Sequence, residues 1–192
     1  RGEATYLNAD DGTLQFVDCP PYFPPTAQPF RVTVSTAAAA TVDLHAHFTM
    51  HEVIGYLAGR WDASGRVLKI VRAFPGVSTS CDHDSQNALQ EAEMDPVAEV
   101  ALRDEVRAAG LTIVGWYHSH PTFEPTPSSV DVTNQGNYQL LFRDEDSGQS
   151  PFIGMICGPY DTTMARTASK LFYFFVEDLK SRKAKRLKVG YT

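Results

Sequence analysis

The residues with the plainest chemistry lie between positions 118 and 131: His118-Ser119-His120-Pro121, six further residues, then Ser128-Ser129-Val130-Asp131. On an extended chain, side chains two apart share a face, so His118 and His120 can converge on one point. A carboxylate 13 positions after His118, on the first turn of a following helix, can return to that point through a tight loop. Two imidazoles and one carboxylate leave a fourth tetrahedral position open, which is the composition of a catalytic zinc site rather than a structural one. Pro121, Pro125 and Pro127 stiffen the connection, so less chain entropy opposes ion binding. Two histidines on a strand, taken alone, are ordinarily a surface pair or a satisfied polar cluster. Asp131, Ser128 and the prolines together turn the reading towards a metal.

Specific elements must deliver these groups. Thr112 to His118 is a continuous apolar run suited to a buried strand, and Ser128 opens a helix reaching about Leu141. Upstream, Arg31 to Ser35 alternates as a strand. An Ala-rich amphipathic helix is expected from Thr36 to about Met50, with Ala39, Val42, Leu44, Ala46 and Phe48 facing the core. Glu52 to Trp61 and Arg66 to Phe74 read as a β-hairpin turning at Asp62-Ala63-Ser64-Gly65. Pro75 to about Glu93 is polar and irregular, a long loop. Asp95 caps a helix with Pro96 at its first position and Gly110 beyond its end, its stripe drawn from Val97, Val100, Ala101 and Val106. Phe152 to Cys157 and Lys170 to Val176 read as two more strands. The basic run Lys180 to Lys188 reads as a solvated tail. The order of elements predicts an α+β fold, an α/β sandwich with a mostly antiparallel mixed sheet flanked by helices.

The chain of 192 residues, 43% hydrophobic and 21% charged, fits one domain able to bury a core. Residues 1–29 are crowded with Pro20, Pro21, Pro24, Pro25 and Pro29 and read as an extension or linker, from which Tyr22, Phe23 and Phe30 can reach the domain surface. Residues 30–192 form the domain. No apolar run is long enough to span a bilayer, and a net charge of −6 argues against non-specific nucleic-acid binding. Cys19, Cys81 and Cys157 are odd in number and far apart, which points to a reducing compartment, cytosol or nucleus, without a disulfide framework. Cys81-Asp82-His83-Asp84 lacks a second half at zinc-finger spacing and reads as a polar loop. His47 and His51, one turn apart, read as helix surface.

Glu52 and His118-x-His120-Pro121-x6-Ser128-x2-Asp131, taken together, resemble the JAMM signature of the MPN-plus metalloproteases, deubiquitinases that cleave isopeptide bonds. The resemblance extends to Val53-Ile54-Gly55-Tyr56-Leu57, Gly115-Trp116-Tyr117 and Phe152-Ile153-Gly154-Met155-Ile156, and covers about residues 30 to 178. Gly55 to Asp62 and Arg72-Ala73-Phe74-Pro75 are most similar to the MPN-domain-containing subgroup. Glu93-Met94-Asp95-Pro96 is similar to the nucleosomal histone deubiquitinases. The resemblance implies the MPN (cytidine-deaminase-like) fold. It implies one catalytic Zn²⁺ held by His118, His120 and Asp131, Glu52 as general base, and Ser128 as donor to the tetrahedral oxyanion, although Ser128 reads equally well as a helix N-cap. The implied partners are ubiquitin or ubiquitinated proteins, chromatin-associated ones among them, with no direct nucleic-acid or membrane contact. A second, structural zinc of some relatives is not expected, since no His follows Cys157. Two other readings stand beside this one: a scaffold module whose metal site is silent, and a zinc peptidase for another substrate.

Overall fold

A computed structural model of the chain describes residues 15–79, 94–160 and 168–192. Among these, strands form at β1 (Arg31–Val34), β2 (Ile54–Asp62), β3 (Val67–Pro75), β4 (Thr112–Ser119), β5 (Ile153–Gly158), β6 (Lys170–Asp178), β7 (Lys183–Arg186) and β8 (Val189–Tyr191), most of them rich in β-branched and aromatic residues. The helices are α1 (Thr36–Ala46), α2 (Pro96–Ala108) and α3 (Ser129–Leu141). Asp95 caps α2 as expected, its carboxylate accepting from the N–H groups of Val97 and Ala98. Ser35 caps α1 by accepting from Ala38 N–H.

The strands lie in one eight-stranded sheet in the order β7-β6-β5-β4-β2-β3-β1-β8. β1 runs parallel to β3 and β8, and β4 to β5; the pairs β2–β3, β2–β4, β5–β6 and β6–β7 are antiparallel. β7 and β8 occupy opposite ends of that order, yet only Leu187 and Lys188 separate them in sequence. A flat sheet of this size would hold its edges roughly 33 Å apart, whereas the three steps from Arg186 to Val189 span about 11 Å at most. The sheet therefore curls until its ends nearly meet. Leu187 N–H bonds the Tyr173 carbonyl and so carries the β6–β7 ladder into this short link.

Two cores result. Inside the curl, Phe30, Val32, Leu57, Ile70, Met155 and Phe175 pack with α1. On the other face Tyr56, Trp116, Ile156 and Phe174 pack against Leu102 and Val106 of α2 and Val132 of α3. The fold is α+β, a mixed sheet between helices, as its patterning implied.

Several local expectations need correction. α1 ends at Ala46, not near Met50, and presents Ala38, Ala39, Val42 and Ala46 to the sheet. Leu44 and Phe48 are 60% and 75% exposed, because a small-residue stripe lets helix and sheet approach closely and turns the larger side chains outward. His47 and His51 consequently do not share a helical turn. α2 is rotated from the expected stripe: Val97 is 81% exposed and Val100 is also exposed, while Leu102 and Val106 are buried. Glu99 and Arg103 occupy the sheet-facing side instead, Glu99 accepting from the Tyr56 hydroxyl and from Arg103. The basic run is not a tail. Lys183–Arg186 forms the edge strand β7, with Ala184 buried and Lys183 and Arg186 exposed, and Leu187 just beyond it is buried too. Of the N-terminal aromatics, Tyr22 and Phe30 are buried and Phe23 is exposed. Cys19 and Cys157 are buried and free. Cys81, His83 and most of the loop after Pro75 lie outside the described residues.

Candidate metal centre

β4 carries His118 one residue before its end, and His120 follows on the same alternation just beyond it. The pairing of β2 with β4 steps by one residue: Leu57 faces Gly115 and Ala58 faces Ile113, leaving Val114 as the bulge. After that step Trp116 and His118 share the face covered by α3, and Tyr117 turns into the curl. A bulge re-aims side chains in this way, and an uninterrupted register would put the same residues on the opposite face. His120 lies just past the strand, its N–H bonded to the Cys157 carbonyl at 2.8 Å, so it extends the β4–β5 ladder.

α3 brings the carboxylate. Ser128 is its N-cap and Asp131 the third helical residue, and they form a reciprocal capping box: Asp131 N–H donates to Ser128 Oγ (3.2 Å) and Ser128 N–H to Asp131 Oδ2 (2.6 Å). The cap employs one carboxylate oxygen and turns the other, Oδ1, to within 3.2 Å of His118 Nε2. The Nε2 atoms of His118 and His120 are 3.0 Å apart. His118, His120 and Asp131 are all buried, with one ligand atom each inside a 4.8 Å span. Burial is the main reason that His120 titrates far below its ordinary 6.5, at about 3, and the neighbouring His118 adds to it. Burial alone would raise the Asp131 carboxyl, but His118 and the Ser128 N–H outweigh it and hold the group below the usual carboxylate range.

The donors present fit a cation. His120 Nδ1 lies 2.8 Å from the Glu124 carbonyl, which can only accept, so Nδ1 carries the proton and the Nε2 lone pair faces the cluster. Ligating histidines are commonly oriented in this manner. Two imidazoles and a carboxylate brought together in a buried space could hold a metal ion, and three such ligands would leave a fourth position open.

Glu52 borders this set. The β2–β4 register pairs Ile54 with His118, and continuing it by two residues brings Glu52 opposite His120, where its Oε1 is 3.9 Å from Nε2. Ser119 secures the approach: its Oγ accepts from Val53 N–H and its own N–H donates to the Val53 carbonyl, both at 3.0 Å. The structure thus brings together all five residues singled out in the sequence. Ser128 holds the cap position, and Ser129 is the first helical residue.

Sequence reasoning missed the support beneath the site. Trp116 stacks on His118, ring centroids 4.8 Å apart, and its indole N–H donates to Gln135 Oε1 at 2.8 Å. Gln135 Nε2 donates to the Phe152 carbonyl and to Gln139 Oε1, and Gln139 exchanges two hydrogen bonds with the Val176 backbone. Both glutamines are buried on α3. Their spacing of four gives the only sequence signal, and it equally describes a polar surface stripe.

Comparison with known proteins agrees with this architecture. A family model described as JAB1/Mov34/MPN/PAD-1 ubiquitin protease matches residues 30–143. The chain is 39% identical over 149 residues to an MPN domain-containing protein of Danio rerio, covering 78% of this chain and 31% of the relative. It is 39% identical over 148 residues to the deubiquitinase MYSM1 of Homo sapiens, covering 77% of this chain and 17% of the relative. A Xenopus laevis relative, named as a histone deubiquitinase, is 37% identical over 165 residues, 86% of this chain and 19% of its own length. The solution structure of protein DSY2949 from Desulfitobacterium hafniense superposes with a TM-score of 0.58 at 18% identity, covering 84% of this chain and 92% of that one, and shares the fold.

Proposed function

Because the chain belongs to the JAB1/Mov34/MPN/PAD-1 ubiquitin protease family, we propose that it is a zinc-dependent hydrolase cleaving the isopeptide bond of ubiquitin conjugates. The observation that carries this reading is the buried His118–His120–Asp131 cluster with the Glu52 carboxylate at its border. His118 Nε2, His120 Nε2 and an Asp131 oxygen would hold the ion. Zinc supplies Lewis acidity and brings the pKa of a bound water from 15.7 towards roughly 7.

The rest of the chemistry falls to the chain. Glu52 takes the proton from the attacking water and delivers it to the departing lysine amine. Ser128 Oγ accepts the cap bond from Asp131 N–H, which leaves its own O–H free to donate to the oxyanion, so the two roles weighed for this residue are compatible. Glu124, through its carbonyl, and Trp116, through its ring, keep the two imidazoles oriented. Relatives named as histone deubiquitinases support ubiquitinated chromatin proteins as the substrate class and the nucleus as the place of action. Residues 30–192 would form the catalytic unit, with residues 1–29 an extension of it.

The test is a paired substitution. Glu52→Gln is expected to retain zinc by elemental analysis and lose about 10²–10⁴-fold in kcat on ubiquitin conjugates, whereas His118→Ala loses both metal and turnover. Undiminished activity in Glu52→Gln would refute the assignment of the base. A zinc-loaded wild-type chain that cleaves no conjugate would favour a scaffold role.

A further inference from the structure

The segment around Phe16 runs antiparallel to the turn that enters α3. Phe16 bridges Ser128, Val17 N–H donates to the Pro127 carbonyl at 2.8 Å, and Ser129 N–H donates to the Gln15 carbonyl at 2.9 Å. Its anchoring residues alternate: Val17 packs against the core shared with α2 and α3, and Cys19 is buried. Phe16, out of phase with them, faces outward and is 48% exposed. That orientation leaves its ring at the metal centre. Its centroid lies 6.4 Å from the His120 ring in an edge-on contact and 5.9 Å from Phe123, which is itself 4.3 Å from His120.

An extended segment outside the sheet thus holds an aromatic ring in water, by main-chain bonds on both sides, at the rim of a buried polar cluster. The ring stays about half exposed, while Val17 and Cys19 join the core beside it. We propose that Phe16 is a substrate-contact residue which, with Phe123, forms an aromatic wall of the metal cleft and receives the methylene stem of the lysine at the scissile bond. This rests on the hydrolase reading above and specifies how that site recognises its substrate. A lysine side chain carries a four-carbon apolar stem, and such stems lie along apolar surface while their polar end reaches elsewhere. The ring does not touch the reacting atoms, so its contribution is to positioning and affinity.

The experiment uses the full zinc-loaded chain and lysine-linked diubiquitin. Wild type is compared with Phe16→Ala and Phe16→Leu, reading KM, kcat, zinc content and thermal midpoint. Phe16→Ala is expected to raise KM by about 10-fold with kcat, zinc and midpoint close to wild type, and Phe16→Leu to recover most of the loss. The backbone bonds of residues 15–17 survive both substitutions. Unchanged KM in Phe16→Ala overturns the proposal, and so does a loss of zinc or of midpoint that accounts for the defect, since that marks a merely structural ring. A wild-type chain that cleaves no lysine-linked conjugate refutes the hydrolase reading itself, and the wall falls with it. The wild-type lane therefore separates the two failures.

Discussion

At the residue scale, the site relies on side chains that each perform two tasks. Asp131 closes the capping box with one oxygen and faces His118 with the other. Ser128 accepts the cap bond and retains a donor. Substituting Ser128 by Ala should separate these tasks. Loss of the cap costs about 0.5–2 kcal/mol of stability, read as a shift in denaturant midpoint. Loss of the oxyanion donor lowers kcat by about 10²–10³-fold, read on a ubiquitin conjugate. Zinc content should persist, since no ligand is removed. A variant that loses stability but keeps its kcat would reduce Ser128 to a cap.

At the element scale, α3 is joined to the sheet by more than apolar contact. Gln135 and Gln139 satisfy the Trp116 indole, the Phe152 carbonyl and both backbone groups of Val176 in a buried layer. Apolar packing would hold the helix equally well but would not fix its rotation, and rotation decides where Asp131 points. Gln135→Leu should leave the Trp116 N–H and the Phe152 carbonyl buried without their partner, costing about 1–3 kcal/mol for each such group. The expected outcome is a lower denaturation midpoint together with weaker zinc retention under competition from a chelator. A stability loss with unaltered zinc affinity would show that the network holds the helix without aligning the site.

At the scale of the whole molecule, the proposed metal ligands come from β4, the turn after it and α3, so an ion there would link elements that unfolding separates. Metal removal should therefore lower the thermal midpoint, and zinc at roughly 100-fold above its Kd should restore roughly 2.7 kcal/mol. The metal-free protein carries an acid sensitivity of predictable sign. His120 in the fold titrates at about 3 against an ordinary 6.5, and burial also lowers His45. As pH falls below about 6.5 the unfolded chain takes up protons that the native imidazoles refuse. The stability from keeping them neutral is present above that pH and lost as pH falls, in the case of His120 down to about 3. Asp131, lowered from 3.8, acts in the same direction further down, because its contribution holds above its ordinary value and is lost below it. Denaturant midpoints of chelator-treated protein should fall steadily from about pH 7 to about pH 4, and a flat profile would contradict the lowered titration of His120 and His45.

Much of this protein can be read from its residues, for a reason of spacing. His118, His120 and Asp131 lie within one strand–turn–helix unit, where the strand and helix periods of about 2 and 3.6 dictate which side chains can meet, so local geometry alone suggests the cluster. The hairpin, the α2 cap and the α+β order were legible on the same basis. Other features depended on partners distant in sequence. The face of β4 that carries the histidines is chosen by the bulge at Val114 against β2. The buried sides of α1 and α2 follow the curled sheet rather than the size of their own side chains. Lys183–Arg186 became a strand because an edge of β6 was available to pair with it. Phe16 came to face His120 only once Val17 and Cys19 had anchored its segment beside the entry to α3. Sequence determines what adjacent residues can do with one another, while burial and long-range pairing, properties of the assembled chain, decide which of those options are used.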